Sequence, residues 1–132
     1  MTITNIQIAL EKALNNITPA ISTRWPNTKI IKTLPYQEVY FFFATPVHNE
    51  LGTGLHRIDG LLQVSLFYEL LKGKNEAMAR AELIRQAFPR GSSHSEGSTN
   101  VMIYRSPHIK QMIEEEDRLH LPIDIEFYSY IN

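Results

Sequence analysis

Five histidines, a serine-rich stretch and a run of four acids are the residues of this chain whose types invite a search for chemistry. His48, His56, His94, His108 and His120 never stand three or four apart. No helix face therefore presents the pair of imidazoles that a zinc site draws on. Ser92, Ser93, His94, Ser95 and Glu96 include the nucleophile, base and acid of a hydrolase. Crowded into one polar loop, they lack the rigid scaffold that holds a triad in register. Gly52-Thr53-Gly54 has neither the Gly-Lys-Ser/Thr ending of a phosphate loop nor a third spaced glycine, and it reads as a turn. Glu114, Glu115, Glu116 and Asp117 carry metal-binding groups, but adjacent side chains on a strand or turn diverge, so a solvated turn is the simpler expectation. No catalytic residue, cofactor site or metal site emerges, and the expectation is a protein that is not an enzyme.

The charges narrow the class further. Lys72, Lys74, Arg80 and Arg85 are partly countered by Glu76 and Glu82, the pattern of a solvated helix face. No aromatic residues interleave with them as in a single-strand groove. The 132 residues carry a net charge of −1, unevenly spread. Residues 1–113 hold 12 Lys/Arg against 8 Asp/Glu, whereas residues 114–132 hold 1 against 6. This is not the concentrated basic footprint of a nucleic-acid binder. Hydrophobic residues make up 43% and charged residues 20%, an ordinary globular composition. The chain has no cysteine, so neither disulfides nor thiolate metal sites are available. No apolar run reaches the ~20 residues of a membrane helix, and "MTITNIQIALEKAL" has no basic leader. A soluble, cytoplasmic protein is expected.

The elements that would position any site follow from periodicity. Ile3, Ile6, Leu10, Ala13, Leu14, Ile17 and Ile21 recur at three and four, predicting a helix over 3–21 that Pro19 shortens to near Ile17. Between Pro26 and Pro35 the chain reads as loop with a short strand at 29–33, and Trp25 is expected over the edge of the core. Residues 38–45 form a strand rich in phenylalanine, which sends Phe41 and Phe43 to one face and Phe42 to the other. Alternation of Leu62, Val64, Leu66 and Tyr68 marks the clearest strand, ended by Gly73. Ala77, Ala81, Ile84 and Phe88 line a second helix, broadened by Met78 and Leu83, with Asn75 as its expected cap. Residues 90–99 read as a mobile loop. Strands near 100–105, near 108–113 and over 119–131 close the chain, and the acids 114–117 sit at the turn between the last two. The order predicts one α+β domain over residues 1–132, a mainly antiparallel sheet packed against two helices.

One long region adds a resemblance. "RIDGLLQVSLFYELLKGKNEAMARAELIRQAFPRG", preceded by "RWPN" and followed by "LPIDIEFYS", is similar in order and spacing to the tail terminator proteins of phages with long non-contractile tails. The resemblance covers residues 20–130. It implies a small α+β subunit, without cofactor or catalysis, that assembles on the finished tail tube, typically as a hexameric ring. The ring stops polymerisation of the major tail protein and presents a surface to the head-completion protein. The implied location is the head-proximal end of the virion tail, reached from the host cytoplasm.

A ring subunit buries surface on folding and again on assembly, and ring neighbours meet through two different patches. Tyr40, Phe41, Phe42 and Phe43 are then the candidate subunit interface, with burial inside one monomer as the competing explanation. Glu114, Glu115, Glu116 and Asp117 are candidates to face the lumen or axial face, where carboxylates would let DNA pass without sticking. The loops 46–57 and 89–99 are candidate partner contacts, through His48, Asn49, Glu50 and Leu51 and through Ser92, Ser93, His94 and Glu96. Three alternatives stay open: another protein of the head–tail joint, a small enzyme with a pocket at a subunit interface, and a monomeric binding module.

Overall fold

The computed structural model describes residues 2–44 and 56–131. The chain begins with α1 (Ile3–Asn15), and its start is fixed by Thr2, whose hydroxyl accepts the Asn5 backbone N–H at 3.1 Å. Ile6, Ala9, Leu10 and Leu14 form its buried face. The helix stops at Asn15, earlier than the periodicity predicts, although Ile17 still reaches the core. β1 (Ser22–Arg24) follows, and no strand forms at 29–33. Trp25 packs half-buried against the core, as expected of it.

β2 (Tyr36–Phe43) and β3 (His56–Tyr68) pair antiparallel, Val39 opposite Val64 and Phe43 opposite Gly60. β1 runs parallel to β2 and covers its outer edge only as far as Glu38. α2 (Asn75–Ala87) buries Ala77, Ala81 and Ile84 as the spacing predicts, with Phe88 buried behind them. Asn75 is not its cap: Lys74 occupies that position, with no side-chain hydrogen bond, and Asn75 is the first helical residue.

The predicted mobile loop at 90–99 is instead a hairpin. β4 (Ser93–Glu96) pairs with β5 (Thr99–Ile103) across the two-residue turn Gly97-Ser98. Gly97 sits at φ +60°, which a glycine adopts freely and which this turn requires. The strand predicted near 108–113 is split into β6 (His108–Ile109) and β7 (Ile113–Glu114). Opposite the gap lies Pro122, which cannot donate to a ladder; its carbonyl still accepts the Lys110 N–H at 2.9 Å. The register slips by one residue between β6 and β7, as at a bulge.

β8 (Leu119–Ile131) organises everything else. One of its edges pairs with β3 from His56↔Ile131 to Tyr68↔Leu119. The other edge is shared in turn by β7, β6 and β5. Among the described residues the eight strands form one sheet, antiparallel except for β1 on β2. The fold is therefore mainly β with two helices, and its sheet is mixed.

Both helices lie on one face. Leu62, Val64 and Leu66 of β3 and Leu121, Ile123, Ile125 and Phe127 of β8 meet α1, α2 and Phe88 in one hydrophobic cluster. Gly60 is needed within it. A Cβ there would stand 2.4 Å from the Phe127 ring and 2.9 Å from the Phe42 carbonyl oxygen.

Candidate assembly surface

Among the described residues the opposite face of the sheet carries no helix. Strand alternation and register place Tyr36, Glu38, Tyr40 and Phe42 of β2 on it, beside Phe67, Ser65, Gln63 and Leu61 of β3. His120, Pro122, Asp124 and Glu126 of β8 continue the rows. One end of this face is sealed by its own side chains. Tyr36 stacks on Phe67 with centroids 4.9 Å apart, and Phe67 on His120 at 4.6 Å. The Arg118 guanidinium lies 3.9 Å over the Phe67 ring, donates to the Tyr36 hydroxyl, and donates through Nε to Glu115 at 2.8 Å. Tyr36 and Phe67 are consequently buried although no helix covers them.

The middle and far end are charged. Asp124 accepts from Gln63 at 3.0 Å and pairs with Lys110 at 2.9 Å. Arg57 lies 4.1 Å over the Tyr128 ring and donates to Asp59 at 3.0 Å. At the β2 edge the face stays open. Phe42 is 52% exposed and Tyr40 37%. Beyond Glu38 the outer edge of β2 has no strand partner among the described residues. Exposed aromatic side chains beside unpaired backbone are what a sheet edge offers to another chain.

The four residues of the Phe-rich strand thus divide. Phe41 and Phe43 pack half-buried against the core, Phe43 edge-on to Phe127 at 5.9 Å, while Tyr40 and Phe42 face outward. The four acids divide too. Glu115 turns inward to Arg118, and its second oxygen lies 3.3 Å from His120 Nδ1. The Arg118 hydrogen bond holds the Glu115 carboxyl below the usual carboxylate range. Glu114, Glu116 and Asp117 are exposed.

In the β4 hairpin, Glu96 forms an ion pair with Lys12 that ties β4 to α1. His94 is half-buried with its ring 5.1 Å from Phe88, and burial pushes its pKa down. Ser92 Oγ stands 3.4 Å from His94 Nε2, but Glu96 is committed elsewhere, so no triad is assembled. Ser93 is exposed. His48, Asn49, Glu50 and Leu51 lie outside the described residues. Among the described residues no cluster of three or more acids and histidines is arranged to hold a metal ion.

Sequence reasoning misplaced Arg80, assigned above to a solvated face. It is buried, and its Nη1 donates to the Pro19 carbonyl. The signal was present: position 80 falls at the i+3 spacing from Ala77 and four before Ile84, on the buried stripe.

The helix-backed sheet leaves a free face that bears aromatics and ion pairs. The chain belongs to the phage tail terminator protein family, whose model matches residues 5–127. It is thus a structural component of phage tails. A solved structure 21% identical in sequence superposes with a TM-score of 0.80, covering 100% of this chain and 97% of its own, which establishes that the fold recurs. A search of curated proteins found no match. Among the described residues no helix is long and apolar enough to cross a membrane.

Proposed function

We propose that this chain, as a single domain, is the subunit of a ring, hexameric by its family resemblance, that caps the completed tail tube. The ring ends polymerisation of the major tail protein and offers the surface to which the head-completion protein binds. It catalyses nothing and uses no cofactor. Assembly takes place in the host cytoplasm, and the ring remains at the head-proximal end of the tail.

The observation that carries this reading is the open flank of β2. Phe42 and Tyr40 present apolar surface to solvent beside a strand edge that lacks a partner among the described residues. A monomer gains nothing from that exposure, whereas a subunit buries it against its neighbour. Glu116 and Asp117 suit the lumen or the axial face, because exposed carboxylates repel passing phosphates. Of the β4 hairpin, Ser93 is free to meet the tube or the head connector, whereas Glu96 and His94 serve the fold.

Native mass spectrometry of the purified protein, alone and with isolated tail tubes, tests the ring. A sixfold mass in solution or on tubes is expected. Phage lacking the gene should build overlong tubes without heads. A strictly monomeric chain that ignores tubes would refute the reading.

A further inference from the structure

Among the described residues Arg80 is the one charged side chain that is buried, at 5% exposure. Its Nη1 donates to the Pro19 carbonyl, but Nε has no hydrogen-bond partner. No carboxylate among the described residues lies within ion-pair distance of it. A guanidinium removed from water without a counter-ion is costly, and the cost falls when a carboxylate arrives. A groove of about 390 Å³ opens beside it, walled by Pro19, Ile21, Pro35, Tyr68, Ala79 and Leu83, with Glu76 also on its lining. Apolar walls around one cation suit a carboxylate carried next to an apolar side chain.

This chain displays such a pair on another flank. Ile113 of β7 is 47% exposed, and the adjacent Glu114 is exposed with no cation in ion-pair distance among the described residues. Leu71 lines a shallow cleft together with Met112 and Glu114 and is fully exposed. Leu71 also holds φ at +64°, a strained conformation for a leucine, so both its backbone and its side chain are costly in a lone monomer. The groove is walled by α2, by Tyr68 of β3 and by the segment 19–21 that leads into β1, whereas β7 pairs with the edge of β8 that β3 does not use. Two unlike, complementary patches at separate places on one chain are what head-to-tail association requires.

We propose that the Arg80 groove receives the Ile113–Glu114 edge of a second copy of this chain, Glu114 supplying the missing counter-ion. The contact rests on the ring reading and names its two halves.

The test uses two variants. Ile113→Asp/Glu114→Lys alters only exposed positions, and Arg80→Met keeps the stem that fills the helix face. Each alone should weaken self-association at least about tenfold, as loss of a central contact does. Mixed, the two should form a heterodimer, because one keeps the groove and the other keeps the acidic edge. Circular dichroism verifies that both are folded; should Arg80→Met fail to fold, the exposed-edge variant alone decides. Undiminished association of Ile113→Asp/Glu114→Lys, or no heterodimer from two folded variants, would overturn this contact while leaving the ring in place. A wild-type chain that stays monomeric even on tail tubes would overturn the ring itself, and this contact with it.

Discussion

The two faces of the sheet use the same strands for opposite ends. On the helix side, Leu62, Val64, Ile123, Ile125 and Phe127 are wholly buried against α1 and α2. On the other side, Phe67 and Tyr36 are hidden by Arg118, by His120 and by their own stacking, and Phe42 is half exposed. Along β2, the alternation from Phe41 to Phe42 to Phe43 thus separates core packing from exposed surface within three residues. The first face explains why the chain folds. The second carries exposed aromatic surface, and it is there that the proposed assembly contact lies.

That contrast predicts a graded set of responses. Phe127→Ala removes the ring at the centre of the covered face and should cost about 3–5 kcal/mol of stability, read by denaturant unfolding. Gly60→Ala comes next. Its Cβ would collide with the Phe127 ring and the Phe42 carbonyl, and overpacking of this kind costs about 1–3 kcal/mol. A loss no greater than that of an ordinary surface substitution would mean that β2 and β3 approach less closely than described.

The sealed end of the open face should respond weakly and with a definite sign. Glu115 has its pKa lowered chiefly by the Arg118 hydrogen bond, so the folded state binds that proton less readily than the unfolded one. Its contribution is complete above the ordinary glutamate range and is lost as the pH falls through the lowered value. The pair is a third exposed, so solvent screening keeps the effect below about 1 kcal/mol. Comparing melting of wild type and Glu115→Gln at pH 7 and pH 3.5 should show the gap between them shrinking with acid. A gap that widens would reverse the assignment.

Much of the covered face was legible in the sequence, because long amphipathic elements announce themselves. The alternation of β8 and the Ala77, Ala81, Ile84, Phe88 stripe of α2 read directly. What was hidden depends on partners distant in sequence. β1 is three polar residues that become a strand only because β2 lies beside them. β4 is Ser-His-Ser-Glu, loop-like by composition, yet it is held by β5 and by the pairing of Glu96 with Lys12. The break between β6 and β7 faces Pro122, and nothing local to residues 108–114 signals it. The same holds for the open face. Phe42 pointing away from Phe41 and Phe43 follows from a period of two, but the Tyr36–Phe67–His120 row exists only through the register of three strands. Arg80 was misplaced because its charge was read ahead of its position on the helix.

The central claim is that the open flank of β2 serves assembly and not folding. Phe42→Glu tests it most directly, by native mass spectrometry alongside thermal melting at the same concentration. The account predicts a monomer whose own fold is as stable as the wild-type subunit's, within about 0.5 kcal/mol as for a surface change. A variant that still forms the ring and caps tubes like the wild type would contradict it.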